Sequence, residues 1–188
     1  YATAQIGKWH LGNPPKFGPQ PQGFDVAYAG RANTTPSADE GGKGEFDLTG
    51  KAVEFIAANK DRPFFLYLCH NTPHIPLGAK PELVAKHENA FNPVYAAMIE
   101  SMDECVGRVL AALEEHKLAE KTIVVFTSDN GGLHVPELRD DPPTHNTPFR
   151  AGKGFLYEGG VRVPLLVRWA GKVPAGRVID TPAISTDW

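Results

Sequence analysis

The sequence predicts an α/β fold built on a mainly parallel sheet with helices on both faces. Three observations carry that expectation. The run at residues 64–69 is continuously apolar and of strand length, as in a strand buried on both faces, and residues 122–126 read as the next buried strand. Between them lies a long stretch with apolar residues recurring at spacings of three and four. Polar segments rich in glycine and proline follow the apolar runs, where open parallel sheets place their ligand-binding loops.

The elements follow in order. Residues 2–6 read as a first strand. Residues 13–46 are rich in Gly, Pro, Asn and Ser and read as a long loop region with at most short pieces of structure. Asp47 is placed to cap a helix over residues 48–59, with Ala52, Val53, Phe55 and Ile56 on its apolar face. Arg62-Pro63 ends it, and the strand at 64–69 follows. Residues 70–80 form a proline-rich loop. Asn92-Pro93 supplies a cap and a first-position proline for a helix reaching His116, with Val94, Met98, Met102, Val106, Val109 and Leu113 as its stripe. After the strand at 122–126 comes a polar loop to about Phe155, then a last strand at 163–167.

The 188 residues suffice for one domain with a real core. A net charge of −3 gives no global basic field, so nucleic acid is not the expected partner. No apolar stretch approaches the roughly 20 residues of a membrane span. Cys69 and Cys105 read as buried thiols and cannot build a disulfide framework.

Four groups of residues carry chemistry. Lys8 and His10 lie in Gly7-Lys8-Trp9-His10-Leu11-Gly12, just beyond the first strand. In an extended stretch residues i and i+2 share a side, so a cation and an imidazole can face one pocket, suited to an anionic group and proton transfer. A surface lysine and a packed histidine fit the same residues. His74 is flanked by Pro73 and Pro76, which restrict the backbone and aim the imidazole; it can serve a substrate oxygen or cap local carbonyls. His70, nearer the strand end, competes for that role, whereas His87 and His116 read as solvated. His134 and His145 lie in the long loop, where nothing selects them. Asp129 and Asn130, in Ser128-Asp129-Asn130-Gly131-Gly132, offer a carboxylate and an amide oxygen of the kind hard cations take, although the same residues make an ordinary turn. Lys153 sits between two glycines that allow close approach to an anion, and Glu158 and Arg162 further along that run can pair.

In order and spacing, Gly-Lys-Trp-His-Leu-Gly, Pro-His-x-Pro-Leu, the helical Met102-Asp103-x-x-Val106-Gly107, Ser-Asp-Asn-Gly-Gly and Gly-Lys-Gly…Tyr-Glu-Gly-Gly-Val-Arg-Val-Pro resemble the sulfatase family, in its arylsulfatase A and N-acetylgalactosamine-6-sulfatase branch. The resemblance runs from Tyr1 to Ser185-Thr186-Asp187-Trp188 and implies an alkaline-phosphatase-like fold. It implies hydrolysis of sulfate monoesters of sugars or aryl alcohols through a formylglycine nucleophile made from a Cys/Ser-x-Pro/Ala-x-Arg motif. Neither Cys69 nor Cys105 stands in such a motif. Residues 1–188 therefore read as part of a sulfatase catalytic domain, with the nucleophile, the first strands and a C-terminal subdomain outside it and no turnover expected from this stretch alone.

Carried over by motif, Asp129 and Asn130 are implied ligands of one Ca²⁺. Lys8 is implied to hold nucleophile and sulfate, and His10 to take the proton that expels sulfate. His74 is implied to bind sulfate and protonate the leaving alcohol, and Lys153 to neutralise sulfate. The implied location is exported (periplasmic or extracellular) or lysosomal, and the implied partner is a sulfated small molecule or glycan. A phosphoesterase or phosphonate hydrolase of the same superfamily is the nearest rival. Such enzymes commonly use two transition metals with an extra His ligand, and Asn130 stands where that His would be. A non-catalytic relative that binds sulfated glycans is the rival from another class.

Overall fold

A computed structural model describes residues 1–31, 43–137 and 141–187. Most of the expected loop over 13–46 is covered, but residues 32–42 lie outside the described set.

Three parallel strands form the first sheet. β1 (Ala2–Gly7) is central, β2 (Val26–Tyr28) lies on one side and β3 (Phe64–Cys69) on the other. The register sets Ala4 against Val26 and Ala2 against Phe64, so Gly7 ends level with Cys69. β2 is one of the short pieces allowed within the loop region. Thr3 and Asp25 exchange hydrogen bonds that hold its start: Thr3 N donates to Asp25 Oδ2 at 2.9 Å, and Asp25 N to Thr3 Oγ1 at 2.8 Å.

α1 (Glu45–Ala58) connects β2 to β3. It starts before the expected residue 48, because Gly44 rather than Asp47 occupies the cap position, in a left-handed conformation. Asp47 lies within the first turn and accepts instead from the Tyr28 hydroxyl at 2.7 Å. Ala2, Ala4 and Ile6 of β1 pack with Leu48, Ala52 and Phe55 of α1 as one core cluster. Full burial of a side chain the size of Leu48 stabilises by about 1.5–3 kcal/mol.

α2 (Pro81–Lys86), unanticipated, opens on Pro81 in the first turn, where its missing N–H costs nothing. α3 (Pro93–Glu115) has the expected cap, with Asn92 Oδ1 accepting from Tyr95 N at 3.1 Å. Its buried stripe is Ala97, Met98, Ser101, Cys105, Ala112 and Leu113, rotated from the expected one toward the small residues that let α1 approach. Val94, Met102 and Val106 are only half-buried. Leu113 joins Ile56 and Leu118 in a second cluster that reaches β4 through Val124.

β4 (Val124–Thr127) and β5 (Leu165–Arg168) pair antiparallel as a separate two-stranded ladder, with the short α4 (Glu158–Val161) between them. Two further expectations are corrected. β3 is not buried on both faces: α1 and α3 cover Phe64, Leu66 and Leu68, while Phe65 and Tyr67 are 53% and 48% exposed. That open face carries aromatic contacts, Phe24 stacking at 6.1 Å on Phe65 and 6.4 Å on Tyr67, rather than a helix. Cys69, at the strand end, is half-buried, whereas Cys105 is fully buried as expected. Among the described residues, helices therefore cover one face of the parallel sheet.

Candidate active site

The carboxyl ends of β1 and β3 lie side by side. Gly7 closes β1 with a φ of 99°, and a Cβ there would sit 2.0 Å from the Cys69 carbonyl oxygen. Only glycine permits that approach. The next residue is tied to the same oxygen, Lys8 N donating to Cys69 O at 2.8 Å. Gln5, buried in β1, donates through Nε2 to the carbonyls of Gly7 and Lys8 and so fixes the exit of the strand. The extended geometry needed to align Lys8 with His10 stops at Gly7. Trp9 turns away to donate to Phe17 O at 2.8 Å, and His10 is exposed with no side-chain hydrogen bond or ion pair among the described residues.

Lys8 instead acts electrostatically on His74. The loop after β3 turns at residues 71–74, where His74 N donates to Asn71 O at 3.1 Å. The peptide bonds before Pro73 and Pro76 are cis. His74 Nδ1 lies 2.6 Å from the Ile75 carbonyl, and its Nε2 lies 3.2 Å from Lys153 Nζ. A carbonyl only accepts and an ammonium only donates, so Nδ1 carries the proton and Nε2 is an acceptor. The imidazole is thus neutral. The electrostatics agree: burial holds the His74 pKa below its usual range, and the positive charges of Lys153, Lys8 and Lys43 push it further down. Capping of a local carbonyl, one of the two alternatives on sequence alone, is met through Nδ1 and Ile75, while Nε2 meets the Lys153 ammonium.

Lys43 carries no signal in the sequence. It is 1% exposed, and burial is the main cause that lowers its pKa from 10.5 to about 8, assisted by Lys8 and opposed by Glu45. Three lysine ammonium groups therefore act on one imidazole at the end of the sheet. Glu137 beside Lys153 and Glu45 near Lys43 offset part of that charge.

Lys153 is placed by an interlock of two glycine-rich loops. Gly131 N donates to Gly160 O at 2.9 Å, and Lys153 N to Gly132 O at 3.1 Å. A Cβ on Gly131 would lie 1.7 Å from Gly159 O, and one on Gly159 would lie 2.1 Å from Ala151 O, so neither loop has room for a side chain. Asn146 bridges them: its Oδ1 accepts from Gly132 N at 2.9 Å, and its Nδ2 donates to Gly132 O at 2.9 Å and Ala151 O at 3.1 Å. Ala151, held this way, has a positive φ of 61°, a strained conformation for a residue with a side chain. Glu137 Oε2 lies 3.7 Å from Lys153 Nζ, and Glu158 pairs with Arg162 at 3.2 Å as the spacing suggested. Neither Asn146 nor the interlock was visible in the sequence, because the partners are backbone atoms whose approach only the folded loops create.

Asp129 and Asn130 follow β4 as expected. Asp129 is exposed, and its charge raises the pKa of Cys69 at the end of β3. Burial is the larger cause of that upward shift, which disfavours the thiolate. Asn130 donates from Nδ2 to Gly131 O at 2.9 Å, which leaves the Oδ1 side of the amide for a cation. Among the described residues no group of three or more His, Cys, Asp and Glu is gathered as for a metal. One carboxylate and one amide oxygen fit the donor chemistry of Ca²⁺ but supply only part of its six to eight oxygens. His70, the competitor of His74, is turned the other way, with Nδ1 2.5 Å from Glu45 Oε2. His87 is not merely solvated, since its Nε2 meets Glu100 at 2.6 Å.

A family model described as Sulfatase matches residues 1–188. The chain belongs to the sulfatase family. Among curated relatives, the steryl-sulfatase of Mus musculus is 42% identical over an alignment covering 74% of this chain and 22% of that protein. The N-acetylgalactosamine-6-sulfatase of Canis lupus familiaris is 31% identical over 95% of this chain and 39% of that protein. Between them these matches take in only 22% to 39% of the relatives' length. Among solved structures, Ps i-CgsB in complex with k-i-k-neocarrahexaose superposes with a TM-score of 0.78 at 34% identity, covering 94% of this chain and 46% of that one. The PsFucS1 sulfatase from Pseudoalteromonas sp. gives 0.74 at 27% identity, covering 94% and 44%. The alkaline-phosphatase-like fold of this sulfatase chain follows from these matches.

Proposed function

We propose that the protein carrying this sulfatase chain is a sulfuric ester hydrolase for sulfate monoesters of sugars or aryl alcohols, and that Lys8, His74 and Lys153 cradle the sulfate. The observation that supports this reading is the neutral His74 imidazole held by Lys153 within the field of Lys8 and Lys43. A sulfate group entering there takes the Lys153 ammonium as a partner and offsets the lysine charges that add to burial in lowering the His74 pKa. The imidazole can then gain a proton on Nε2 and give it to the leaving alcohol oxygen, where charge develops in the transition state. Lys8 and Lys153 neutralise the non-bridging oxygens. His10, carried over from the family motif, serves as the base that releases sulfate.

Asp129 and Asn130 would supply two of the oxygens that hold one Ca²⁺, with the remaining ligands and the formylglycine nucleophile contributed by the rest of the protein. When bound, the ion supplies Lewis-acid polarisation of the sulfate oxygens. The complex of Ps i-CgsB with k-i-k-neocarrahexaose supports an oligosaccharide as substrate class. Family kinship supports export or lysosomal residence, and no helix among the described residues is long and apolar enough to cross a membrane.

The test is hydrolysis of 4-nitrophenyl sulfate by the full-length protein with Ca²⁺. We expect turnover that falls about 100-fold or more in Lys8→Ala. Faster turnover of 4-nitrophenyl phosphate than of the sulfate would move the protein to the phosphoesterase side of the superfamily.

A further inference from the structure

Glu45 opens α1 with a side chain that is 0% exposed. Buried carboxylates are rare unless every oxygen is engaged. Here Oε1 accepts from Asn71 N at 2.8 Å and from Thr72 N at 2.9 Å. Oε2 faces His70 Nδ1 at 2.5 Å. A carboxylate offers only acceptors, so the shared proton sits on Nδ1 of His70. All three bonds go to residues 70–72, and the Asn71 carbonyl in the middle of that segment receives His74 N. The carboxylate thus runs from the helix, through one turn, to the imidazole that meets Lys153. Among the described residues, the side-chain atoms Asn71 Nδ2 and Thr72 Oγ1 are buried without a hydrogen-bond partner, so the side chains described there do not fix the turn.

We propose that Glu45 is a positioning residue for the anion site: its carboxylate holds the 71–74 turn, and through that turn it sets His74 against Lys153. The proposal rests on the reading of His74 as the group that serves the substrate. Glu45 touches no substrate in this arrangement and acts only through His74.

The test is a double-mutant cycle in the full-length protein with 4-nitrophenyl sulfate. We expect Glu45→Ala to lower kcat about 10-fold or more with KM changed less than about 3-fold. In a His74→Ala background the same substitution should change kcat less than about 2-fold, because the group it positions is gone. Glu45→Gln keeps an oxygen for the two backbone N–H groups and should recover most of the loss. It presents an NH₂ to His70, so the His70 proton should move from Nδ1 to Nε2 in ¹⁵N spectra of the imidazole. Equal kcat losses from Glu45→Ala in both backgrounds would overturn the proposal, as would a Gln variant no better than Ala. Where Glu45→Ala does not fold, Glu45→Asp, one methylene shorter, carries the cycle. Should the protein turn over no sulfate ester, the functional reading fails and the positioning is decided by NMR with inorganic sulfate as probe. Glu45→Ala must then shift the His74 ring resonances and weaken any sulfate-induced change in them, and unaltered His74 resonances would overturn it.

Discussion

Two loops bring His74 and Lys153 together, and they are held by opposite means. The turn after β3 is fixed by a side chain, the buried Glu45 carboxylate with its three partners. The loops after β4 are fixed mainly by the lack of side chains, with Gly131, Gly159 and Gly160 in backbone contact and a single amide, Asn146, as the clasp. The first loop is held by charge and hydrogen bonding, so conservative substitution should tune it. The second is held by steric fit and should tolerate almost nothing. A binding site assembled this way has one adjustable wall and one rigid wall.

The largest expected effect breaks the rigid wall. Gly131→Ala would place a methyl 1.7 Å from the Gly159 oxygen, so the two loops must part. Overpacking of this kind costs about 1–3 kcal/mol or more. Thermal denaturation should show a clear fall in Tm, and inorganic sulfate should no longer bind at Lys153 by NMR titration. A variant of wild-type Tm that still binds sulfate would mean the loops are adjustable after all.

A middle-sized effect comes from the clasp. Asn146→Ala removes three hydrogen bonds and leaves Gly132 N, which is part-buried, without its acceptor. A loss of about 1–3 kcal/mol is expected in urea denaturation, together with relaxation of the positive φ at Ala151. An unchanged unfolding midpoint would show that the glycine packing alone holds the wall.

The smallest effect concerns the adjustable wall and is a pH effect. His74 has a lowered folded pKa, caused first by burial and then by Lys153, Lys8 and Lys43, with the Ile75 carbonyl acting in the opposite sense. Over the window between the lowered folded value and the ordinary value near 6.5, the unfolded chain binds more protons than the folded one. Stability therefore rises with pH through that window, is complete above it and is lost as pH falls through it. His74→Gln should flatten that acid-side loss in Tm against pH. Lys153→Met, which removes one of the opposing charges, should shrink it part-way.

Much of the frame was legible in the sequence. The apolar runs marked β3 and β4 because strand-length apolar segments are a local signature, and Asn92-Pro93 marked the start of α3 because capping is a matter of adjacent residues. The motifs also named Lys8, His10, His74, Asp129, Asn130 and Lys153 as candidates; the structure sets His74 beside Lys153 and leaves His10 exposed, and the order of those motifs pointed to the family. The tertiary structure decided the rest. Which face of β3 is covered depends on where α1 and α3 dock, not on the run of residues 64–69 itself. Asp47 lost its capping role to Gly44 because Tyr28, on a strand invisible to periodicity, claimed its carboxylate. Lys43, Glu45 and Asn146 had no local pattern to betray them, since their partners lie on other elements. The lowered pKa of His74 is likewise a property of its burial first, and then of three lysines separated along the chain, all of them fixed only by the tertiary structure. Local propensity is written in neighbours along the sequence, while burial and electric field are sums over neighbours in space.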